Sequence, residues 1–182
     1  MDEDILVVNG SQQGIDLICK ALVGKNTVVL AEGPSYSVAL HCFQCAGARV
    51  VTVPLLADGP DMDAIRAVVD PTPIDFYYTM THFQCPSNVC WSERKRREML
   101  ALAQANSFTI VEDDCLGDLA FNGRPRQTLR GLDSGNTTTA VDMYLILRYL
   151  MSFDAFAEIS GAPTFTMPAK EKHRSSSILV SQ

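Results

Sequence analysis

Three acidic residues in a row, Glu112-Asp113-Asp114, follow the apolar run Phe108 to Val111 in this 182-residue chain. A carboxylate at the end of a buried strand can salt-bridge a protonated heterocyclic nitrogen, hold Mg²⁺, or cap the next segment. Successive side chains there point in different directions, so only one of the three is expected to face a given site. The Mg²⁺ option lacks a second acidic cluster to complete the ligand set. A second candidate is Asn9-Gly10-Ser11-Gln12-Gln13-Gly14, between an apolar run and a helical pattern. Glycine lets backbone approach an anion, and the Ser11 hydroxyl with the free amides of a first helical turn can bind phosphate. The plainer reading is an ordinary helix start with Ser11 as its cap. Tyr36, after Gly33-Pro34-Ser35, either stacks on a flat ligand or packs on the turn. Cys42 and Cys45 form a C-x-x-C inside a helical stretch; with no second ligand pair, the default is buried core thiols rather than a metal or redox site. Arg94-Lys95-Arg96-Arg97 reads as a solvated helix face.

The elements that must position these residues alternate regularly. Ile5 to Val8, Thr27 to Ala31, Arg49 to Val53, Asp75 to Met80 and Phe108 to Val111 are short apolar or β-branched runs, read as strands. Between them lie helical patterns: Gln12 to Val23, Tyr36 to Ala46 with Gly47 as its stop, Asp61 capping a helix to Val69, and Ser92 capping one to Ala105. This repetition predicts an α/β fold, a mainly parallel sheet sandwiched by helices, joined by right-handed crossovers. Ligands of such sheets sit beyond the carboxyl ends of the strands. Glu32 to Tyr36, Thr81 to Asn88, Asp113 to Leu116 and the loop Gly10 to Gln13 are therefore expected on one rim. Beyond Phe121 the pattern weakens. Met143 to Ile159 is apolar nearly all round, and Ala169 to Gln182 is rich in Lys and Ser.

Composition excludes several classes. With 47% hydrophobic and 20% charged residues the chain is neither disordered nor a solvating tail. A net charge of -6 and a pI near 5.0 argue against a nucleic-acid partner. No run of about 18 apolar residues predicts a membrane span. Six cysteines behind an acidic start read as reduced thiols, and the expected location is cytoplasmic.

Taken in order, five segments resemble the fold-type I aminotransferases that use pyridoxal 5'-phosphate (PLP). The similarity is to the class I/II branch, with its 2-aminoadipate-type transaminases and the aminotransferase-like domains of certain bacterial regulators. The matching text is NGSQQGIDL at Asn9 to Leu17, EGPSYSVAL at Glu32 to Leu40, and GARVVTVPLLADGPDMDAI at Gly47 to Ile65. HFQCPSNVCWSERKRR at His82 to Arg97 and IVEDDCLGDLAFNGRP at Ile110 to Pro125 complete it. The resemblance covers residues 5 to 132. It implies an incomplete large domain over residues 1–160 followed by a polar tail, 161–182. It also implies PLP as cofactor, an amino acid and a 2-oxo acid as substrates, and a homodimer. By resemblance Gly10, Ser11 and Gln12 match the phosphate loop, Tyr36 the aromatic over the ring, Cys85 the position of the residue facing the ring's 3-oxygen, and Asp113 the carboxylate pairing with the ring nitrogen.

The departures from the family pattern are specific. The usual Asn of the QNP segment is Cys85, and the Tyr that usually follows the Asp is replaced by Cys115 and Leu116. The Schiff-base lysine slot falls on Ala155, in Tyr149 to Ala155, or on Leu150 if counted from Tyr144. The catalytic residue is thus not identified, and an inactive remnant or interaction domain of the same fold is the alternative to a transaminase. A Mg²⁺-dependent phosphoryl-transfer domain is a third, more distant reading.

Overall fold

The computed structural model describes residues 6–117, 127–133 and 178–180. Strands β2 (Val28–Gly33), β3 (Arg49–Leu56), β5 (Phe76–Thr79) and β6 (Thr109–Glu112) run parallel, and β4 (Gly59–Pro60) folds back antiparallel on β3. Their order across the sheet is β4-β3-β2-β5-β6. The expected mainly parallel sheet is therefore present, with β2 at its centre. A separate two-stranded pair joins β1 (Leu6–Val8) to β7 (Ile178–Val180), the latter inside the segment read from sequence as a polar tail.

Helices α1 (Ser11–Leu22), α2 (Ser37–Cys45), α3 (Met62–Val69) and α4 (Glu93–Asn106) connect the strands, and a single turn, α5 (Leu129–Leu132), follows β6. Their ends are set locally. The Asp61 carboxylate accepts from the N–H groups of Asp63 and Ala64 at 3.0 and 3.2 Å, and the Ser92 hydroxyl accepts from Lys95 N–H at 3.3 Å. Both residues are the predicted caps. At the end of α2, Gly47 N–H reaches Gln44 O and Ala48 N–H reaches Phe43 O, with Gly47 at φ 105°. That is a Schellman stop, and its left-handed residue is the glycine singled out in the sequence.

Alternation along the strands divides the core into two layers. Leu30 and Tyr77 face α3 and α4, where they pack with Ile65, Trp91 and Met99. Val29, Ala31, Phe76 and Tyr78 face α1 and α2, against Ile15, Ala39 and Phe43. The aromatic rings are placed edge to face: Tyr77 and Trp91 at 6.2 Å, Phe43 at 5.2 Å from Phe76 and 5.3 Å from Tyr78. Each such pair adds about 0.5–1.5 kcal/mol beyond its burial. Among the described residues no helix is long and apolar enough to cross a membrane. Met143 to Ile159, with both lysine-slot positions Leu150 and Ala155, lies outside the described residues.

Candidate active site at the carboxyl rim

Topology brings the candidate residues to one end of one layer. The carboxyl end of α1 feeds the amino end of β2 through a short turn, so α1 runs against the strands and its start lies at the carboxyl rim. Helix α2 begins just after β2 ends, at the same rim. Tyr36 is its N-cap residue, half-buried, and packs against the cluster that holds Tyr78 and Val111. Asp113 is two residues beyond Val111 and so belongs to that layer as well.

The start of α1 differs from the plainer sequence reading. Gly10, not Ser11, is the N-cap residue, at φ 89°, and no side chain caps the helix. The Gln13 side chain instead reaches back to Asn9 N–H. Ser11 is the first helical residue, so its N–H and that of Gln12 have no partner inside the helix. The Gln12 side chain turns away to α2 and donates to Cys42 Sγ at 3.1 Å. This is an anion-accepting geometry built from main chain and one hydroxyl.

Asp113 continues the sheet ladder, its N–H donating to Thr79 O at 2.8 Å. Its Oδ2 accepts from the Tyr78 hydroxyl at 2.9 Å. Burial, and then the neighbouring Asp113 charge, raise the Tyr78 phenol well above its ordinary range, so it stays a neutral donor. Burial and the same charge push the nearby Cys115 thiol up to about 11. The three consecutive carboxylates take separate partners: alternation sets Asp113 opposite Glu112, and Asp114 lies beyond the strand end. Glu112 faces the other layer, accepting from Thr81 Oγ1 and Leu129 N–H and lying 3.8 Å from Arg96. Asp114 pairs with His82 Nδ1 at 2.7 Å. A Cβ at Gly117 would fall 2.5 Å from Asp114 Oδ2, so a side chain there would force the Asp114 carboxylate to shift. Among the described residues no group of three or more His, Cys, Asp or Glu is arranged to hold a metal ion.

Cys85 is half-buried at a cis Cys85–Pro86 bond, in a turn closed by Asn88 N–H on Gln84 O. What fixes this turn is Gln84, a residue the sequence reading passed over. Its buried amide donates to Pro34 O at 2.7 Å, and its Oε1 accepts from Ser87 N–H at 3.1 Å. Gln84 thereby ties the Cys85 turn to the loop that carries Tyr36. A buried side chain with that many donors and acceptors satisfied is a positioning device. Its one signal in the sequence was a Gln directly before Cys-Pro.

The basic cluster also needs correction. Arg94 and Arg97 are exposed, but Lys95 and Arg96 are buried at 5% and 1% exposure. Arg96 donates to Thr81 Oγ1 at 2.8 Å, Thr81 O at 2.9 Å and Gln127 O at 3.0 Å; Lys95 Nζ donates to Pro60 O at 2.7 Å. Half of the supposed solvated face is a strut beneath the rim.

The fold is thus a three-layer α/β sheet with an open helix start, an aromatic and a strand-end carboxylate on one rim. The aspartate amino-transferase family model matches residues 8–127. The chain belongs to that family. It is 34% identical over 129 residues to the uncharacterized HTH-type transcriptional regulator YisV of Bacillus subtilis, covering 71% of this chain and 27% of that protein. It is 34% identical over 119 residues to 2-aminoadipate transaminase of Thermus thermophilus, covering 65% and 30%. The crystal structure of a multiple substrate aminotransferase from Thermococcus profundus superposes with a TM-score of 0.68 at 28% identity, over 72% of this chain and 34% of that one. The chain thus spans roughly a quarter to a third of the length of the curated relatives it matches.

Proposed function

We propose that this chain is the cofactor-binding part of an aminotransferase that moves an amino group between an amino acid and a 2-oxo acid, with PLP as its cofactor. The observation that carries the reading is Asp113: a strand-end carboxylate, oriented by Tyr78, in the layer where α1 opens and Tyr36 caps α2. The donor set fits the two polar ends of PLP. The N–H groups of Ser11 and Gln12 and the Ser11 hydroxyl suit a phosphate at the start of a 12-residue helix. Asp113 suits a protonated ring nitrogen, and Tyr36 offers a flat face beside it. When bound, PLP supplies an electron-withdrawing ring that stabilises negative charge on the substrate's α-carbon.

The residues divide the remaining work. Asp113 keeps the proton on the ring nitrogen, because a carboxylate close by favours the charged form. Tyr78 holds one Asp113 oxygen, and the carboxylate so oriented would pair with the ring nitrogen. Gly10 allows the main chain to enter α1 at an angle that leaves two amides open. Cys85 takes the position where the family pattern has Asn, so a weaker donor would be offered to the 3-oxygen. The lysine is not supplied by the described residues. Lys20 pairs with Asp16 on the surface, Lys95 is held by Pro60 O, and Lys25 lies in the turn before β2, at the opposite end of the sheet. With Ala155 or Leu150 in the family slot, binding to this chain is expected to be non-covalent. The reading includes residues 1–160 as the partial large domain with 161–182 as a tail, a homodimer in the cytoplasm, and no nucleic-acid partner for an acidic domain.

The test is a PLP titration of the full chain, followed by absorbance and then by borohydride reduction and intact mass. Saturable binding that Asp113→Ala weakens at least about tenfold, a loss of 1.4 kcal/mol or more, supports the assignment. A stable reduced adduct on one lysine would overturn the non-covalent part. PLP affinity unchanged in Asp113→Ala would overturn the site itself.

A further inference from the structure

The groove between α1 and α2 gathers three thiols. Cys19 from α1 and Cys42 and Cys45 from α2 line it, together with Gln12 and Lys20. Their exposures differ: Cys19 is buried, Cys42 half-buried and Cys45 exposed, so the expectation that Cys42 and Cys45 are buried core thiols does not hold. Burial pushes the Cys19 thiol up to about 11, which keeps it protonated and a poor nucleophile. Cys45 Sγ lies 3.4 Å from His41 Nε2, a ring nitrogen able to take the thiol proton. Cys42 Sγ accepts the Gln12 amide at 3.1 Å and so touches the first turn of α1.

Cys42 and Cys45 are three residues apart on α2 and share one face. Helical side chains at that spacing have Cβ atoms roughly 5–6 Å apart, whereas a disulfide needs roughly 3.5–4.5 Å. The backbone must therefore draw in by about 1–2 Å to close the bond. It can do so at this place, because Cys45 is the last residue of α2 and Ala46 and Gly47 after it are exposed. Gly47, where the chain turns, has nothing within 4 Å of its Cβ position. Cys19 offers no such freedom, since it sits inside α1 against the sheet.

We propose that Cys42 and Cys45 form a reversible redox site that reacts with low-molecular-weight disulfides. His41 takes the Cys45 proton, and the Cys45 sulfur attacks one sulfur of the small disulfide, breaking its S–S bond; the departing thiolate takes the proton from His41 and leaves as one small thiol. The Cys42 sulfur then attacks Cys45 in the mixed disulfide, closing the protein S–S bond, and its proton passes to the second departing sulfur, which leaves as the second small thiol. Two electrons and two protons leave the protein with the two thiols, so the pair is oxidised and the small disulfide reduced. Closure unwinds the last turn of α2 and turns Cys42 away from Gln12.

Cleavage after Lys25 and Arg49 leaves Cys42 and Cys45 on one peptide and Cys19 on another. After the full chain is treated with oxidised glutathione, the peptide 26–49 should be lighter by two hydrogens and resist alkylation until a reductant is added. The Cys19→Ser chain should behave identically, and the Cys45→Ser chain should show no such closure. Amide exchange in the last turn of α2 should rise several-fold on oxidation, and not in Cys45→Ser. A cross-link between the Cys19 and Cys42 peptides, glutathione persisting on Cys45 as the end product, or thiols that stay reduced would each overturn the proposal.

Discussion

The two layers of this sheet handle their polar groups in opposite ways. Toward α1 and α2 the interior is apolar, and the polar groups, Tyr36 and Asp113, stand half-buried at the strand ends where a ligand can meet them. Toward α3 and α4 the charges go inside: Glu32 is 0% and Arg96 1% exposed. There each charge ties neighbouring elements together. Glu32 on β2 accepts from Thr79 on β5 at 2.5 Å, Arg96 on α4 holds Thr81, and Glu112 on β6 holds the first N–H of α5. One layer presents its charges and the other uses them to hold the rim in register. That difference predicts where substitutions will be felt.

The largest effect is expected at Arg96. Replacing it with Ala leaves Glu112 buried without its cation and removes the Thr81 hydroxyl's donor and one of the two donors to Thr81 O, Trp91 N–H remaining. Removing one partner of a buried pair costs about 3–5 kcal/mol. Burial already holds the Glu112 carboxyl above its usual range, and Arg96 counters that. On the opposite layer, Asp113→Asn should shift stability by less than about 1 kcal/mol, because the amide oxygen still accepts from Tyr78 and the site is half open to water. Urea unfolding of both variants checks the contrast; equal losses would remove the distinction between the layers.

Glu32 gives the same contrast a pH dependence. Burial pushes its carboxyl up from 4.5 to about 7, with the Thr79 hydroxyl pulling the other way. The nearby Tyr77 hydroxyl also favours the charged form, and burial outweighs both hydroxyls. Between pH 4.5 and 7 the folded chain keeps a proton that the unfolded chain has lost, so this group's contribution to stability falls as pH rises through that window. Above it, the folded state carries a buried charge. Glu32→Gln should remove that fall and be more stable than the parent above the window, by on the order of 3 kcal/mol as an upper bound. Thermal unfolding of both chains across the window measures the difference. A variant that tracks the parent at every pH would show that Glu32 does not titrate there.

Tyr78→Phe probes the presenting layer more finely. Its hydroxyl is buried and its partner half exposed, so water can replace the lost donor on Asp113. A cost of about 1 kcal/mol is expected, read from the same unfolding midpoints, together with weaker PLP binding as Asp113 loses its orientation. A loss near that of Arg96→Ala would mean that Tyr78 supports the fold rather than the site.

What the sequence made legible follows the same division. The strands, the caps at Asp61 and Ser92 and the stop at Gly47 depend on local chemistry, and local chemistry is visible in a run of residues. The rim positions of Tyr36 and Asp113 followed from strand ends and from the family pattern. The buried charges were hidden because a cluster of four basic residues looks like surface. The phase of α4 held the missing information: counting back four from Ala103 reaches Met99, four more reaches Lys95, and three back from Met99 reaches Arg96, the same stripe. Glu32 was hidden for a different reason. It closes an apolar run as the first residue of a matching segment, and only the pairing of β2 with β5 brings Thr79 beside it.

The smallest expected effect is at Arg97, next to Arg96 in sequence and chemically identical to it. Its guanidinium donates to Glu93 Oε1 from Nε at 2.9 Å and from Nη2 at 2.7 Å, one turn back on α4. The geometry is as good as any that Arg96 makes. Yet the two side chains are 61% and 67% exposed. Water screens the attraction, both charges stay solvated when the pair breaks, and ordering two long side chains costs entropy that offsets the contact. Arg97→Ala should therefore change stability by no more than about 0.5 kcal/mol, and by less in high salt. Neither Glu93 nor the helix is left with a buried unmet charge, which is what makes the Arg96 substitution costly. If Arg97→Ala lowered the unfolding midpoint as far as Arg96→Ala, burial would not be what separates the two arginines, and the account of the α3/α4 layer as an internal charge network would fail.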